Sequence, residues 1–567
     1  MKKNRKPSTA AEALLMRLKL NGIDYLFGNA GTDFAPIIEA YANTQNTNVS
    51  LPEPIVIPHE TAAVAMAHGY YLTTGKPQAA MVHVNVGLAN SLMGIINTAS
   101  DNIPFFMMAG RTPITEHDRV GSRMTPVQYG QEMRDQSTML RESVKWDYEL
   151  RYPEQISDLV DRGVAISMTE PRGPVYLGLP REPLADKWPQ NRTIDHPTQS
   201  IPVAPSADDE TCKEIAKYIK DAKNPILVTQ RNDPEGKLSE EVIKLANNFA
   251  VAVIESFPIQ NVMPFDHNMH GGYDIAPWLE IADLIIVLDA QVPWIQRHQK
   301  PKKGTKIIHI APDPLFSKMP VRSFQNDLAV SATPSKALEL INSHLSKFKI
   351  NTTKRFENYA DANTKRRLTI HNKMIEGDGS PMSPAFVGKC IGRIMDDKDV
   401  VFSELGPPTV SLDPKKPNQV FSSPFSGGLG WGLPATLGAA LANPNRLNIA
   451  CVGEGSYIFS NPVACHQIAE ALELPILIVI MNNGIWNAVR RAARNVYPQG
   501  AAKKMNQMPL TSLSPLPDFC KIAEASRGWS KRVENGTDLP SALNDALKFI
   551  RQKKRSAVIE VKVISPD

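Results

Sequence analysis

Two short polar clusters, each closing an apolar run, carry the clearest chemical signal in the chain. Gly453-Glu454-Gly455-Ser456 follows NIACV, and Asn482-Asn483, with 26 residues between Gly455 and Asn482, closes the run PILIVIM. Parallel strands ending this way emerge on one edge of a sheet, the edge where open α/β folds bind ligands. Glu454 and Asn483 would then face each other. The glycines at 453 and 455 let backbone approach a phosphate, and free amides at the start of the next helix, at Ser456, favour an anion. A carboxylate oxygen from Glu454, the amide oxygen of Asn483 and a backbone carbonyl just beyond, at Ile485, are hard donors. With phosphate oxygens and water they suit octahedral magnesium.

Such a site needs a scaffold that alternates strands and helices. At 567 residues the chain has room for two to four domains of roughly 150 residues each. In the first stretch AAMVHVNV, PFFMMAG and GPVYLGLP read as buried strands, and the proline-rich LADKWPQNRTIDHPTQSIPVAPSADD reads as a linker. A second stretch carries NPILVTQ, FAVAVIES, ADLIIVLDA and TKIIHIAPDP, with SEEVIKLANNFA as a helix between strands. No GxGxxG follows any of these strands, which disfavours a nicotinamide dehydrogenase. A polar helical connector leads to a third stretch with DVVFSEL, NIACVGEGS, PILIVIMNN and SAVIEVKV. The expected architecture is α/β, three domains with mostly parallel sheets, spanning residues 7–185, 200–345 and 375–567.

Composition narrows the partners. The 63 Lys and Arg against 58 Asp and Glu leave a net charge of +5 with no long basic block, so nucleic acid is not a favoured partner. No apolar run approaches eighteen residues, and the N-terminal run is broken by Arg17 and Lys19, so neither a membrane span nor a signal peptide is expected. The five scattered cysteines contain no CxxC pair, and a reducing cytoplasm is the default compartment.

Two upstream segments complete a pattern. SGGLGWGLPATLGAALANP sets one bulky side chain, Leu429, between glycines, and PHETAAVAMAHGYYLTTGKP starts an alanine-rich helix at Glu60, where the carboxyl should be desolvated. Together with the metal-type motif, these resemble the thiamine-diphosphate (ThDP) enzymes of the acetolactate synthase, benzoylformate decarboxylase and pyruvate decarboxylase superfamily. Glu454 stands where that pattern usually has aspartate. The resemblance implies pyrimidine-binding, central and diphosphate-binding domains, with ThDP and Mg2+ as cofactors. It implies that Leu429 bends the cofactor, that the Gly427 carbonyl accepts from its 4′-amino group, and that Glu60 hydrogen-bonds the pyrimidine. It also implies a homodimer or homotetramer whose active sites lie between subunits.

Within that family, His83 in HVNVGLAN matches a benzoylformate decarboxylase histidine, Thr32 a carboxylate-binding serine, and His298 a second active-site histidine from the central domain. Either histidine could move protons near neutrality. Gln131-Glu132 resembles the acetolactate synthase pair, whereas Asn85-Val86-Gly87 replaces that group's GPG. No flavin signature marks the central stretch, so a bound FAD gains no support. Trp486, Ala488, Val489 and Ala492 suggest an apolar pocket wall, with Arg490 and Arg491 nearby. The expected reaction is nonoxidative decarboxylation of a small 2-oxo acid. The alternatives are an acetolactate synthase-like carboligase, a 2-hydroxyacyl-CoA lyase-type enzyme, and a catalytically silent ThDP-fold binding subunit.

Overall fold

A computed structural model describes residues 6–194, 197–375 and 377–565. Among them, eighteen strands form three six-stranded sheets. The first contains β1 (Tyr25–Asn29), β2 (Glu53–Val56), β3 (Gln78–Val82), β4 (Phe105–Arg111), β5 (Asp147–Glu149) and β6 (Pro174–Pro180), in the order β2-β1-β3-β4-β6-β5. The second contains β7 (Pro225–Thr229), β8 (Ala252–Glu255), β9 (His270–Gly272), β10 (Leu284–Leu288), β11 (Lys306–Ala311) and β12 (Leu328–Ser331), ordered β12-β11-β10-β7-β8-β9. The third contains β13 (Val400–Glu404), β14 (Val420–Ser422), β15 (Asn448–Gly453), β16 (Leu477–Asn482), β17 (Trp529–Val533) and β18 (Ala557–Lys562), ordered β14-β13-β15-β16-β18-β17.

Every ladder is parallel. Helices therefore cover both faces, and inner strands such as β3, β4, β7 and β10 are buried at every position. The first and third sheets reverse direction between their first and third strands, the second between β7 and β10. Those switch points are where the carboxyl-end loops part and leave a crevice.

The chain compacts into two units, one made of residues up to Val203 with Pro424–Ala442, the other of Ala204–Ser423 with Asn443 onward. In the first unit the Gly432–Ala442 helix lies along the Glu60–Thr74 helix. A Cβ on Gly69 would overlap the Ala435 carbonyl, and one on Gly438 the Met66 carbonyl, so the two backbones touch. Residue numbers rise along one helix as they fall along the other. The pair is antiparallel.

Three buried histidines should make the fold acid-sensitive. Burial pushes His68 down to about 3, and His309 and His466 down to about 4. Each is neutral when folded and gains a proton more readily when unfolded, so its stability contribution is complete above pH 6.5 and is lost as pH falls from there toward the folded value. Each costs at most about 1.4 kcal/mol per pH unit within that window. Urea unfolding of the protein should therefore show a lower midpoint at pH 5 than at pH 7, and equal midpoints would refute the assignment.

Candidate active site

At the switch point of the first sheet the loops after β1 and β3 carry Asp33 and His83. Asp33 is 4 % exposed, and its Oδ1 lies 2.6 Å from His83 Nδ1. Glycines clear the space: a Cβ on Gly31 would strike the imidazole, and one on Gly110 the Asp33 carboxylate. The other Asp33 oxygen accepts from Val84 N (3.2 Å), holding that β-branched residue at φ 34°, a strained conformation. On its far side His83 Nε2 lies 3.1 Å from Gln131 Nε2. The hydrogen bond to Asp33 raises the half-buried imidazole above the usual histidine range; burial opposes the shift, and the charges of Asp33 and Glu60 reinforce it.

Glu60 is the first residue of its helix and is buried, with His59 capping the helix by accepting from Thr61 N. Asn90 Nδ2 donates to Glu60 Oε2 at 3.2 Å, and Gly87 leaves room beside Oε1. Both neighbours lie in the first two turns of the Val84–Ser100 helix that His83 caps. Thr32 is exposed, and its carbonyl accepts from Arg181. Glu132 is tied to Arg111, Arg123 and the Thr112 hydroxyl.

The loop bearing Leu429 meets the other end of that same helix. Asn97 donates to Gly428 O (2.9 Å) and accepts from Gly428 N (3.1 Å) and the Ser426 hydroxyl (2.6 Å), while Asp101 accepts from Phe425 N (3.0 Å). Gly427 and Gly430, at φ 70° and 91°, make the turns that bracket Leu429. Ten residues separate Gly87 from Asn97, about 15 Å along a helix. In one chain Glu60 and Leu429 thus stand at opposite ends of the same helices.

In the second unit, the switch point between β13 and β15 brings the loop after Glu404 beside Gly453. Glu454 is 2 % exposed, and its Oε1 accepts from the amides of Asn483 (3.1 Å) and Ile485 (3.2 Å), pinning the β16 loop. Burial raises its carboxyl above the ordinary range, and those amide bonds oppose the rise. Asn483 Oδ1 in turn accepts from Ile485 N (3.1 Å), which brings the oxygens of Glu454 and Asn483 to the same short loop. Among the described residues no group of three or more His, Cys, Asp or Glu is placed to hold a metal ion. Ser456 Oγ is buried with no partner, which fits a diphosphate oxygen as its missing acceptor.

Gly455 has a second cause beside the phosphate approach expected of it. A Cβ there would overlap the Trp486 indole, which also packs edge-on against Phe459. The Asn487–Val496 helix has no buried residue: Val489 is exposed, and Arg490 donates to Asn487 Oδ1 and to Ser565 O. His298 is exposed on the loop after β10 and belongs to neither cluster. At the switch point of the central sheet, the fully buried Gln230 donates to Ser256 O (2.8 Å) and Val292 O (2.9 Å), tying the loops after β8 and β10 to the end of β7.

Sequence comparison covers both units. The N-terminal thiamine pyrophosphate (ThDP) enzyme domain matches residues 8–139, the central domain 212–341 and the C-terminal ThDP-binding domain 408–561. The chain belongs to the ThDP-dependent enzymes. It is 22 % identical to the acetolactate synthase large subunit of Haemophilus influenzae, over 98 % of this chain and 95 % of that one, and 23 % identical to the benzoylformate decarboxylase of Pseudomonas aeruginosa, over 96 % and 97 %. The crystal structure of benzoylformate decarboxylase from Polynucleobacter necessarius superposes with a TM-score of 0.80 at 21 % identity, covering 99 % of each chain. Among the described residues no helix is long and apolar enough to cross a membrane.

Proposed function

We propose that this chain is a ThDP- and magnesium-dependent enzyme that decarboxylates a small 2-oxo acid without oxidation and releases an aldehyde. The observation that carries the choice over a carboligase is His83, a basic imidazole held at the same helix end as Glu60, where a proton can be delivered before a second carbonyl is attacked. When bound, ThDP supplies the electron sink for loss of the carboxylate. Glu60 would share a proton with the pyrimidine, Leu429 would support the cofactor from below, and the Gly427 carbonyl would accept from its amino group. Gly453, Gly455 and Ser456 would hold the diphosphate. Glu454, Asn483 and the Ile485 carbonyl would hold Mg2+.

A site shared by two copies of the chain is supported by the separation of Glu60 from Leu429, too wide for one pyrimidine to touch both. Hetero-oligomers purified from co-expressed Glu60→Gln and Glu454→Ala chains should recover activity that neither variant has alone, because one of two symmetric sites is intact. No recovery would refute the shared site. The reaction itself is tested by a panel of aryl and branched 2-oxo acids with ThDP and Mg2+, scoring gas release and product. Aldehyde is expected; hydroxyketone alone, or no gas from any acid, overturns the proposal.

A further inference from the structure

We infer that Asp33 is a positioning residue that fixes the proton of His83 on Nδ1 and reserves Nε2 for proton exchange. This rests on the reading of His83 as a proton-transfer group. Both Asp33 oxygens are committed, one to His83 Nδ1 at 2.6 Å and the other to the Val84 amide at 3.2 Å, so carboxylate and ring have one arrangement. The carboxylate is nearly inaccessible, and Gly31 and Gly110 leave no Cβ in its way. An acceptor on Nδ1 selects the tautomer in which Nε2 has a free lone pair when the ring is neutral and a proton when it is charged.

Gln131 suits both states. Its Nε2 faces His83 Nε2 as a donor to the neutral ring, and its Oε1 is buried without a partner. A half-turn of the carboxamide would set that oxygen against the imidazolium. The charged neighbours are few. Asp33 and Glu60 act on the imidazole, and the small cavity behind Asp33 is lined by Arg111 and Arg181. Arg111 is paired with Glu132 and Glu149, and Arg181 donates to the carbonyls of Gly121 and Ser122. The raised basicity of His83 agrees with this geometry.

Nitrogen-15 spectra of the full-length protein, with His83 assigned through His83→Gln, test the inference directly. In the unsubstituted protein the neutral ring should carry its proton on Nδ1; a proton on Nε2 would overturn the inference and needs no variant to be folded. Asp33→Asn keeps an acceptor for Val84 N and should weaken proton binding at His83 by about tenfold or more, one pH unit on the titration curve. An unmoved titration overturns the positioning role. The alkaline limb of kcat should move down with it. If the titration shifts while His83→Gln keeps the full rate, Asp33 retains its role and the proton-transfer reading of His83 fails on its own.

Discussion

Glu60→Gln is expected to slow exchange of the C2 proton of bound ThDP by about two to four orders of magnitude while leaving the fold intact. The substitution keeps shape and volume. Asn90 Nδ2 still finds an oxygen, Gly87 still leaves room, and the His59 cap is untouched. Only the ability to share a proton is lost. Thermal unfolding should therefore change by less than about 1 kcal/mol. Quenched-flow exchange read by proton spectroscopy separates the two effects. Wild-type exchange in a folded Glu60→Gln protein would falsify the assignment of Glu60.

The second large effect is on architecture. Gly438→Ala puts a methyl group into the Met66 carbonyl, a backbone atom that cannot rotate aside, at a crossing where Gly69 meets Ala435 in the same way. Alanine for glycine inside a helix ordinarily gains about 1 kcal/mol. Here the sign should reverse, with a loss of about 1–3 kcal/mol as the helices are forced apart. Affinity for ThDP should fall as well, because the Leu429 loop leads directly into this helix. Gly130→Ala, where nothing lies within 4 Å, serves as the neutral control. Urea unfolding of both variants checks the contrast, and a Gly438→Ala protein as stable as its control would sink the close-packing account.

The interior strands were legible and the borders were not. NPILVTQ, ADLIIVLDA, PILIVIMNN and SAVIEVKV became β7, β10, β16 and β18, since strands covered on both faces read as continuous apolar runs. β2, β5, β9, β12, β14 and β17, the two edges of each sheet, are short and in most cases partly exposed, and they leave little apolar signal. AAMVHVNV reads as one strand, yet it stops at Val82 and a helix begins at Val84, because an apolar run does not distinguish the two. At the candidate site, Glu60 and Glu454 stand out in the sequence through their local frames. Asp33, Asn97 and Asp101 do not, since each acts on a partner distant in sequence. The glycines at 31 and 110 were the one trace of Asp33, legible only once β1, β3 and β4 lie side by side.

The excursion of Pro424–Ala442 has a bearing on how such a chain can be cut and recombined. Its helix is apolar all round, and it is threaded between β14 and β15 while belonging to the other compact unit. A fragment beginning at the connector and running to the C-terminus would carry that greasy rod bare into solvent. Swapping this portion between relatives requires exchanging the matching Glu60 helix with it, so the two inherit change together.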